Sequence, residues 1–310
     1  MFSVQLGLVD NKEKYRQICE TEGVRILLFQ QYWWWETVCR GKRWDVLLSE
    51  RDGQVRGAMP YVDGRRLCLR HSLMPQLTMF TGPWLADNAD KEAFDDLWRQ
   101  FASRRWALCK GRLSPELTAA ALVPPEYLGL KAEMHYTYRF DPIRPLAELM
   151  PQATQLRRRD YRRLCGELVV DEAVSPQEFA DLHADYMKRR GRRDLLEHGF
   201  IVHVCGEAVA RGNGMLIGAR DADGRLHDAL FVAYDSECTY MLMLARGPEA
   251  PRNSMSFLIW KAIEIMGAHT KMFDFEGSME PGVEEYYRSF GSQKACMLQV
   301  SRCRIPFIRI

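Results

Sequence analysis

The sequence predicts a mixed α/β protein built as two units of similar size. Three observations carry that reading. The chain has 310 residues, about twice the ~150 residues of an ordinary domain. Strand-like alternation and helix-like apolar periodicity interleave along its whole length. The segment Asp141-Pro142-Ile143-Arg144-Pro145 interrupts that pattern near the middle. The expected units are therefore residues 1–144 and 145–310.

Asp10 followed by Glu13 forms a capping box that opens a helix to about Thr21. The run Trp33-Trp34-Trp35 follows and reads as core or domain interface. Strands come next at Trp44–Ser49, Val55–Val62 and Arg66–Leu69, with Asp52-Gly53 and Asp63-Gly64 as hairpin turns. From Asn88 to Arg104 the residues Phe94, Leu97, Trp98 and Phe101 recur at helical spacing. Trp106–Lys110 and Tyr136–Phe140 read as strands. The second half opens with a basic helix over Leu156–Cys165 and a strand at Leu168–Asp171. Ser175-Pro176 starts a helix to about Arg189, with Ser as cap and Pro at the first helical position. A further helix is expected over Asp194–Ala210. Strands follow at Met215–Arg220, Asp228–Tyr234 and Thr239–Ala245, the first two joined through Asp223-Gly224. A proline loop, Arg246–Arg252, leads into a helix from Asn253 to Ala268. A strand at Lys271–Glu276, a helix at Gly282–Phe290 and a strand at Ala295–Ser301 complete the pattern.

Composition narrows the function classes. The 43 basic and 41 acidic residues leave a net charge of +2, which gives no case for DNA as a partner. With 8 Trp, 14 Phe and 12 Tyr, the chain has ample material for a core and is not a disordered one. The nine cysteines are scattered, with no C-x-x-C pair. That pattern fits reduced thiols in the cytoplasm, not a disulfide framework or a zinc knuckle. The histidines form no H-E-x-x-H or other metal pattern, so no metal is expected. Residues 72–86 are uncharged but contain Pro75, Gly82 and Pro83, so no membrane-spanning helix is expected. The first residues lack the basic and apolar regions of a signal peptide.

The stretch Tyr240–Gly291 is the richest in chemistry. It reads strand, Gly/Pro loop, helix, strand ending in acids, helix ending in Gly. A loop feeding a helix N-terminus presents unpaired N–H groups and a positive dipole end to an anion. Here Arg246 and Arg252 add charge beside Asn253 and Ser254. Asp274 and Glu276 share one face of their strand. Glu276 reads as a base for an amine or as the cap of the next turn, and Asp274 as structural. Five arginines lie within Arg157–Arg163. Arg157, Arg158 and Arg162 share overlapping helix faces and are candidates to hold phosphate groups. A second basic run spans Lys188–Arg193.

The motifs Phe273-Asp274-Phe275-Glu276-Gly277-Ser278 and Tyr287-Arg288-Ser289-Phe290-Gly291 give this order of elements a family resemblance. The chain resembles the GNAT superfamily of N-acetyltransferases, and within it the branch of FemABX peptidyltransferases and short bacterial FemAB-like acyltransferases. The helix Gln155–Arg163 is similar to a basic helix of that branch. The resemblance implies two tandem GNAT-like domains, the second catalytic, and two parallel strands that splay at the site, here Thr239–Ala245 and Lys271–Glu276. It implies acyl-CoA as donor, its pyrophosphate at the start of the Asn253 helix, and a small-molecule, peptide or lipid amine as acceptor. Tyr287 falls on the tyrosine that protonates the leaving thiolate. The expected activity is thus N-acyl transfer from a thioester to an amine by direct attack.

One departure matters. The usual phosphate loop of the superfamily is Q/R-x-x-G-x-G/A, but this chain reads Arg246-Gly247-Pro248-Glu249-Ala250-Pro251. Two prolines remove N–H donors, and Glu249 has the wrong sign for phosphate. Fem-type enzymes, which also depart here, take the acyl group from aminoacyl-tRNA. Two alternatives therefore stand beside the first reading: a tRNA-dependent peptidyltransferase of cell-wall precursors, and a catalytically silent binding protein. The long charged coiled-coil insertion of the wall enzymes is not evident in this sequence.

Overall fold

In the computed structural model, which describes residues 10–191, 194–277 and 281–305, contacts divide the chain into two units. One runs to His135 and takes in the segment from Cys296 onward; the other is Tyr136–Ala295. The division thus falls ahead of the expected 144/145 boundary, because the strand that ends at Phe140 already pairs with Phe273 in the second unit. The C-terminal strand contributes Gln299–Cys303 to the first unit, where it pairs with Leu108–Arg112. Arg192, Arg193 and Ser278 lie outside the described residues.

The first unit opens with α1 (Asn11–Glu20), where Asp10 accepts a 2.8 Å bond from the Glu13 amide. In α2 (Tyr32–Val38), Trp34 and Trp35 are buried. Their indole N–H groups donate to Thr78 Oγ1 and the Phe29 carbonyl, so the tryptophan run is core. Strands β1 (Trp44–Arg51) and β2 (Gln54–Val62) form the expected hairpin, with positive φ at both Asp52 and Gly53. The expected strand Arg66–Leu69 is instead a second hairpin, β3 (Gly64–Arg66) and β4 (Leu69–Ser72), turning at Leu67 with φ +54°. Next come β5 (Trp84–Leu85), α3 (Lys91–Ser103), β6 (Leu108–Arg112) and α4 (Pro115–Ala119). Helix α3 buries Phe94, Leu97, Trp98 and Phe101, the stripe its periodicity predicts. One sheet has the order β1-β2-β5, all antiparallel. In the other, β4 runs parallel to β6.

β7 (Lys131–Phe140) leads into the second unit. There follow α5 (Leu146–Leu149), α6 (Gln155–Leu164), β8 (Val169–Asp171), α7 (Pro176–Arg189) and α8 (His198–Ala210). The Ser175 hydroxyl accepts from the Glu178 amide at 3.1 Å, as its Ser-Pro start predicts. Then come β9 (Gly214–Arg220), β10 (Leu226–Tyr234), β11 (Cys238–Arg246), α9 (Ser254–Met266), β12 (Met272–Asp274), α10 (Pro281–Arg288) and β13 (Gln293–Cys303). The sheet order within the unit is β7-β12-β11-β10-β9-β8, with β11 parallel to β12 and the other neighbours antiparallel. Helix α9 crosses from β11 to β12 and is buried nearly all round, with Phe257, Leu258, Trp260 and Ile263 at most 1% exposed. A helix apolar on every side must be interior, and this one fixes the loop that enters it.

Candidate active site

β11 and β12 pair over three positions, Cys238–Met272, Thr239–Phe273 and Tyr240–Asp274. β11 then continues to Arg246 while β12 turns away. The turn is built by the Asp-Phe-Glu-Gly motif. The Asp274 Oδ1 atom accepts from the Glu276 amide at 2.8 Å and from the Thr137 hydroxyl. Thr137 Oγ1 in turn accepts from the Gly277 amide at 2.9 Å. Glu276 sits at φ +53°, a conformation few non-glycine residues adopt. A Cβ on Gly277 would fall 2.1 Å from the Tyr136 carbonyl oxygen and 2.3 Å from Thr137 Cα. Asp274 is thus the structural member of the acid pair.

The loop between β11 and α9 is closed on itself. The Arg246 guanidinium donates to the carbonyls of Ala250 and Pro251, at 3.1 and 2.8 Å. The Ser254 and Ser256 amides donate to the carbonyls of Pro251 and Asn253. Asn253, at φ +64°, donates its side-chain amide to Asp160 Oδ2 at 2.8 Å. A buried carboxylate of α6 therefore faces the helix start where a phosphate was expected, and complements the same dipole end. Arg252 is exposed, and its carbonyl accepts from Arg163 at 2.7 Å.

Behind the loop lies a buried polar cluster. Asp228 on β10 faces Arg246 on β11 and is fully buried, as is Ser254. Neither carboxylate oxygen of Asp228 has a hydrogen-bond partner of good geometry, nor has the Ser254 hydroxyl. Burial pushes the Asp228 carboxyl up to about 6, against the opposing pull of Ser254, Arg246 and His227. Arg157 is also buried. Its guanidinium donates to Ser289 Oγ and Ser256 Oγ, both at 2.7 Å, and lies 4.4 Å from the Tyr286 ring centroid. The Tyr286 hydroxyl is 3.1 Å from Ser256 Oγ. Burial raises its pKa, with Ser256 and Arg157 acting the other way.

Tyr287 points elsewhere. Its ring packs 5.0 Å from that of Phe275, and its hydroxyl pKa is pushed up by burial and by the charge of Glu276. The expected acid and base are thus electrostatic neighbours. Arg246, Asn253, Ser254 and Arg157 form one assembly; Tyr287 and Glu276 form a second beside β12. Of the remaining candidates, Arg158 donates to the Pro151 carbonyl at 3.3 Å and Arg162 is exposed on α6. Among the described residues, no group of three or more His, Cys, Asp or Glu side chains is placed to hold a metal ion.

Residues 152–288 match the family model described as an acetyltransferase (GNAT) domain. Over these residues the chain has the GNAT acyltransferase fold. The crystal structure of FemX aligns with 94% of this chain and 96% of its own, at a TM-score of 0.69 and 13% identity. The C-terminal domain of a putative lysylphosphatidylglycerol synthetase from Agrobacterium fabrum covers 94% and 92%, at 0.61 and 14%. A tandem GNAT protein from the clavulanic acid biosynthesis pathway covers 87% and 85%, at 0.51 and 12%. At these identities the likeness is one of fold, and that fold is the tandem GNAT-like one the sequence predicts. No curated protein matches the chain.

Within this GNAT domain, sequence reasoning missed two functional candidates. Asp228 is a lone acid in an otherwise apolar strand, where burial predicts either a partner or a raised pKa. Tyr286 reads as packing because it points away from the neighbouring Tyr287 on its helix, yet its hydroxyl reaches the Ser256–Arg157 pair. Arg157 had a usable signal: with Asp160 and Leu164 it repeats at helical spacing, and all three are buried.

Proposed function

We propose that this GNAT protein transfers an aminoacyl group from an aminoacyl-tRNA ester to an amine acceptor, in preference to an acyl group from coenzyme A. The observation that carries this reading is the closed β11–α9 loop. A coenzyme pyrophosphate needs unpaired amides at the start of α9. Here Asn253 holds Asp160, Arg246 is bonded to the loop's own carbonyls, and two prolines offer no N–H. Support also comes from the fold shared with FemX and with the C-terminal domain of a putative lysylphosphatidylglycerol synthetase, a name that states an aminoacyl product.

The reaction assigns each group a task. The acceptor nitrogen attacks the ester carbonyl carbon, an N–C bond forms, and the bond to the ribose oxygen breaks. Glu276 takes the proton that the acceptor nitrogen loses, and Tyr287 gives one to the departing oxygen. The raised pKa of Tyr287 suits this pairing. A phenol weaker than the ordinary ~10 is poorly matched to a thiolate, whose thiol ionises near ~8.5, and better matched to an alkoxide. Arg158 and Arg162 on α6 would meet tRNA phosphates, while Arg157, Ser256 and Tyr286 would orient the reacting group. Such a donor belongs to the cytoplasm; among the described residues no helix is long and apolar enough to cross a membrane.

A second reading keeps the thioester. The matched model is described as an acetyltransferase domain, and the early end of β11–β12 pairing fits a pantetheine arm between the strands. One experiment separates the two. Purified protein is offered labelled aminoacyl-tRNA, or labelled acetyl- and longer acyl-CoA, each with a mixed amine acceptor pool. Transfer from the ester alone is expected. Transfer or a thermal shift with acyl-CoA alone overturns the proposal.

A further inference from the structure

The β3–β4 hairpin of the first unit breaks two local rules at its tip. Its two-residue turn is Leu67-Cys68, and Leu67 stands at φ +54°. The first position of such a turn normally takes glycine, because a side chain strains a left-handed backbone. Leu67 is also left out of the core: it is 93% exposed, and Leu69 beside it is 40% exposed. A scattered surface leucine is ordinary. One held at a strained tip is a feature the fold itself does not need.

The root of the hairpin is fixed. The Arg70 guanidinium lies 4.8 Å from the Trp106 ring centroid, and donates to Asp63 at 2.7 Å and to the Arg104 carbonyl at 3.3 Å. The Ala107 amide donates to the Arg70 carbonyl at 2.9 Å, and β4 continues alongside β6. Cations crowd this base. Arg65 pairs directly with Arg70 across the hairpin, and Arg66 with Leu69. Arg104 lies over the Tyr61 ring, and the exposed Arg105 follows it. The exposed turn 40–43 adds Arg40, Lys42 and Arg43, and the Arg43 carbonyl accepts from the Asp63 amide at 2.9 Å. The described acids in these segments are Asp63 and Asp45. Asp63 is bonded to Arg70 and lies 3.8 Å from Arg43, and Asp45 accepts from the Tyr61 hydroxyl at 3.2 Å. The cations far outnumber them.

We propose that this hairpin docks the protein on an anionic phospholipid bilayer, with Leu67 and Leu69 entering the headgroup–acyl boundary and the arginines meeting lipid phosphates. An apolar tip inside a cationic collar suits a surface that is charged outside and apolar beneath. RNA phosphates would engage the same arginines but leave Leu67 in water. The surface is independent of which donor the second unit uses.

Co-sedimentation of the full chain with vesicles tests this, using phosphatidylcholine alone and phosphatidylcholine mixed with an equal part of phosphatidylglycerol. Binding to the mixed vesicles is expected to be about tenfold or more tighter than to the neutral ones, and to weaken with salt. Leu67→Gly should lower that affinity about fivefold and leave the thermal midpoint unchanged or raised, since glycine suits the turn. Arg65→Gln combined with Arg66→Gln should lower it about tenfold or more. Equal affinity for the two vesicles, or no binding to the mixed ones, overturns the proposal. So does unchanged affinity in either variant. Binding of tRNA that the arginine pair abolishes, with no vesicle binding by the wild type, would assign the surface to RNA instead.

Discussion

Asp228 Oδ1 lies 3.9 Å from Arg246 Nε across the β10–β11 pair, near enough to attract and too far to hydrogen-bond. The carboxylate gains only part of what its burial costs, and its pKa rises to about 6.

That rise has a sign. The folded state holds its proton at a higher pH than the unfolded chain, so unfolding releases a proton between about 4 and 6 and stability falls as pH rises through that window. The total loss is on the order of 3 kcal/mol and is complete above it. Asp228→Asn should therefore be more stable than wild type at pH 7.5, by about 1–3 kcal/mol, and match it near pH 4. Urea unfolding at several pH values measures this; a constant difference between the two proteins across the range would refute it.

Gly277→Ala should destabilise by about 3 kcal/mol or more, because the new methyl meets backbone of Tyr136 and Thr137 and not a movable side chain. Thr137→Val, which removes the bridge between Asp274 and Gly277, should cost about 1–3 kcal/mol. Thermal unfolding of both checks the assignment of the turn.

The arginines of α6 should separate. Arg157→Ala leaves the buried Ser256 and the half-buried Ser289 hydroxyls without their donor and should cost about 2–4 kcal/mol of stability. Arg158→Ala and Arg162→Ala should change stability by less than about 0.5 kcal/mol. Each should instead lower the slope of log affinity for tRNA against log salt by about 1. Filter binding across a salt series reads this directly.

Tyr287→Phe should lower kcat about 100-fold or more on the true donor. Its stability should stay within about 1 kcal/mol, since the hydroxyl forms no hydrogen bond with a described residue. Because burial holds the phenol protonated, wild-type activity should not fall between pH 8 and about 10 on account of this residue. A loss in that interval that disappears in Tyr287→Phe would argue against the role.

Much of the second unit was legible because local rules and tertiary demands agree there. The turn at Asp223-Gly224, the Ser175-Pro176 cap and the proline loop before Asn253 each announce an element. Asp274 was readable as structural from its place before Glu276-Gly277. What escaped depends on contacts far apart in the chain. Asn253 meets Asp160 across 93 positions, and no local signal marks the loop as closed. Leu67 turns a short strand into a hairpin through a left-handed backbone, which a leucine seldom signals. The unit boundary moved for a similar reason, since pairing partners and not punctuation decide where contacts divide.

The closed loop between β11 and α9 carries one more consequence. A phosphate-binding loop that waits for its ligand is ordered by it, and binding then absorbs the entropy of that ordering. This loop is ordered by Asp160 and its own carbonyls beforehand. Donor binding should therefore leave the protease sensitivity of Arg246–Asn253 unchanged.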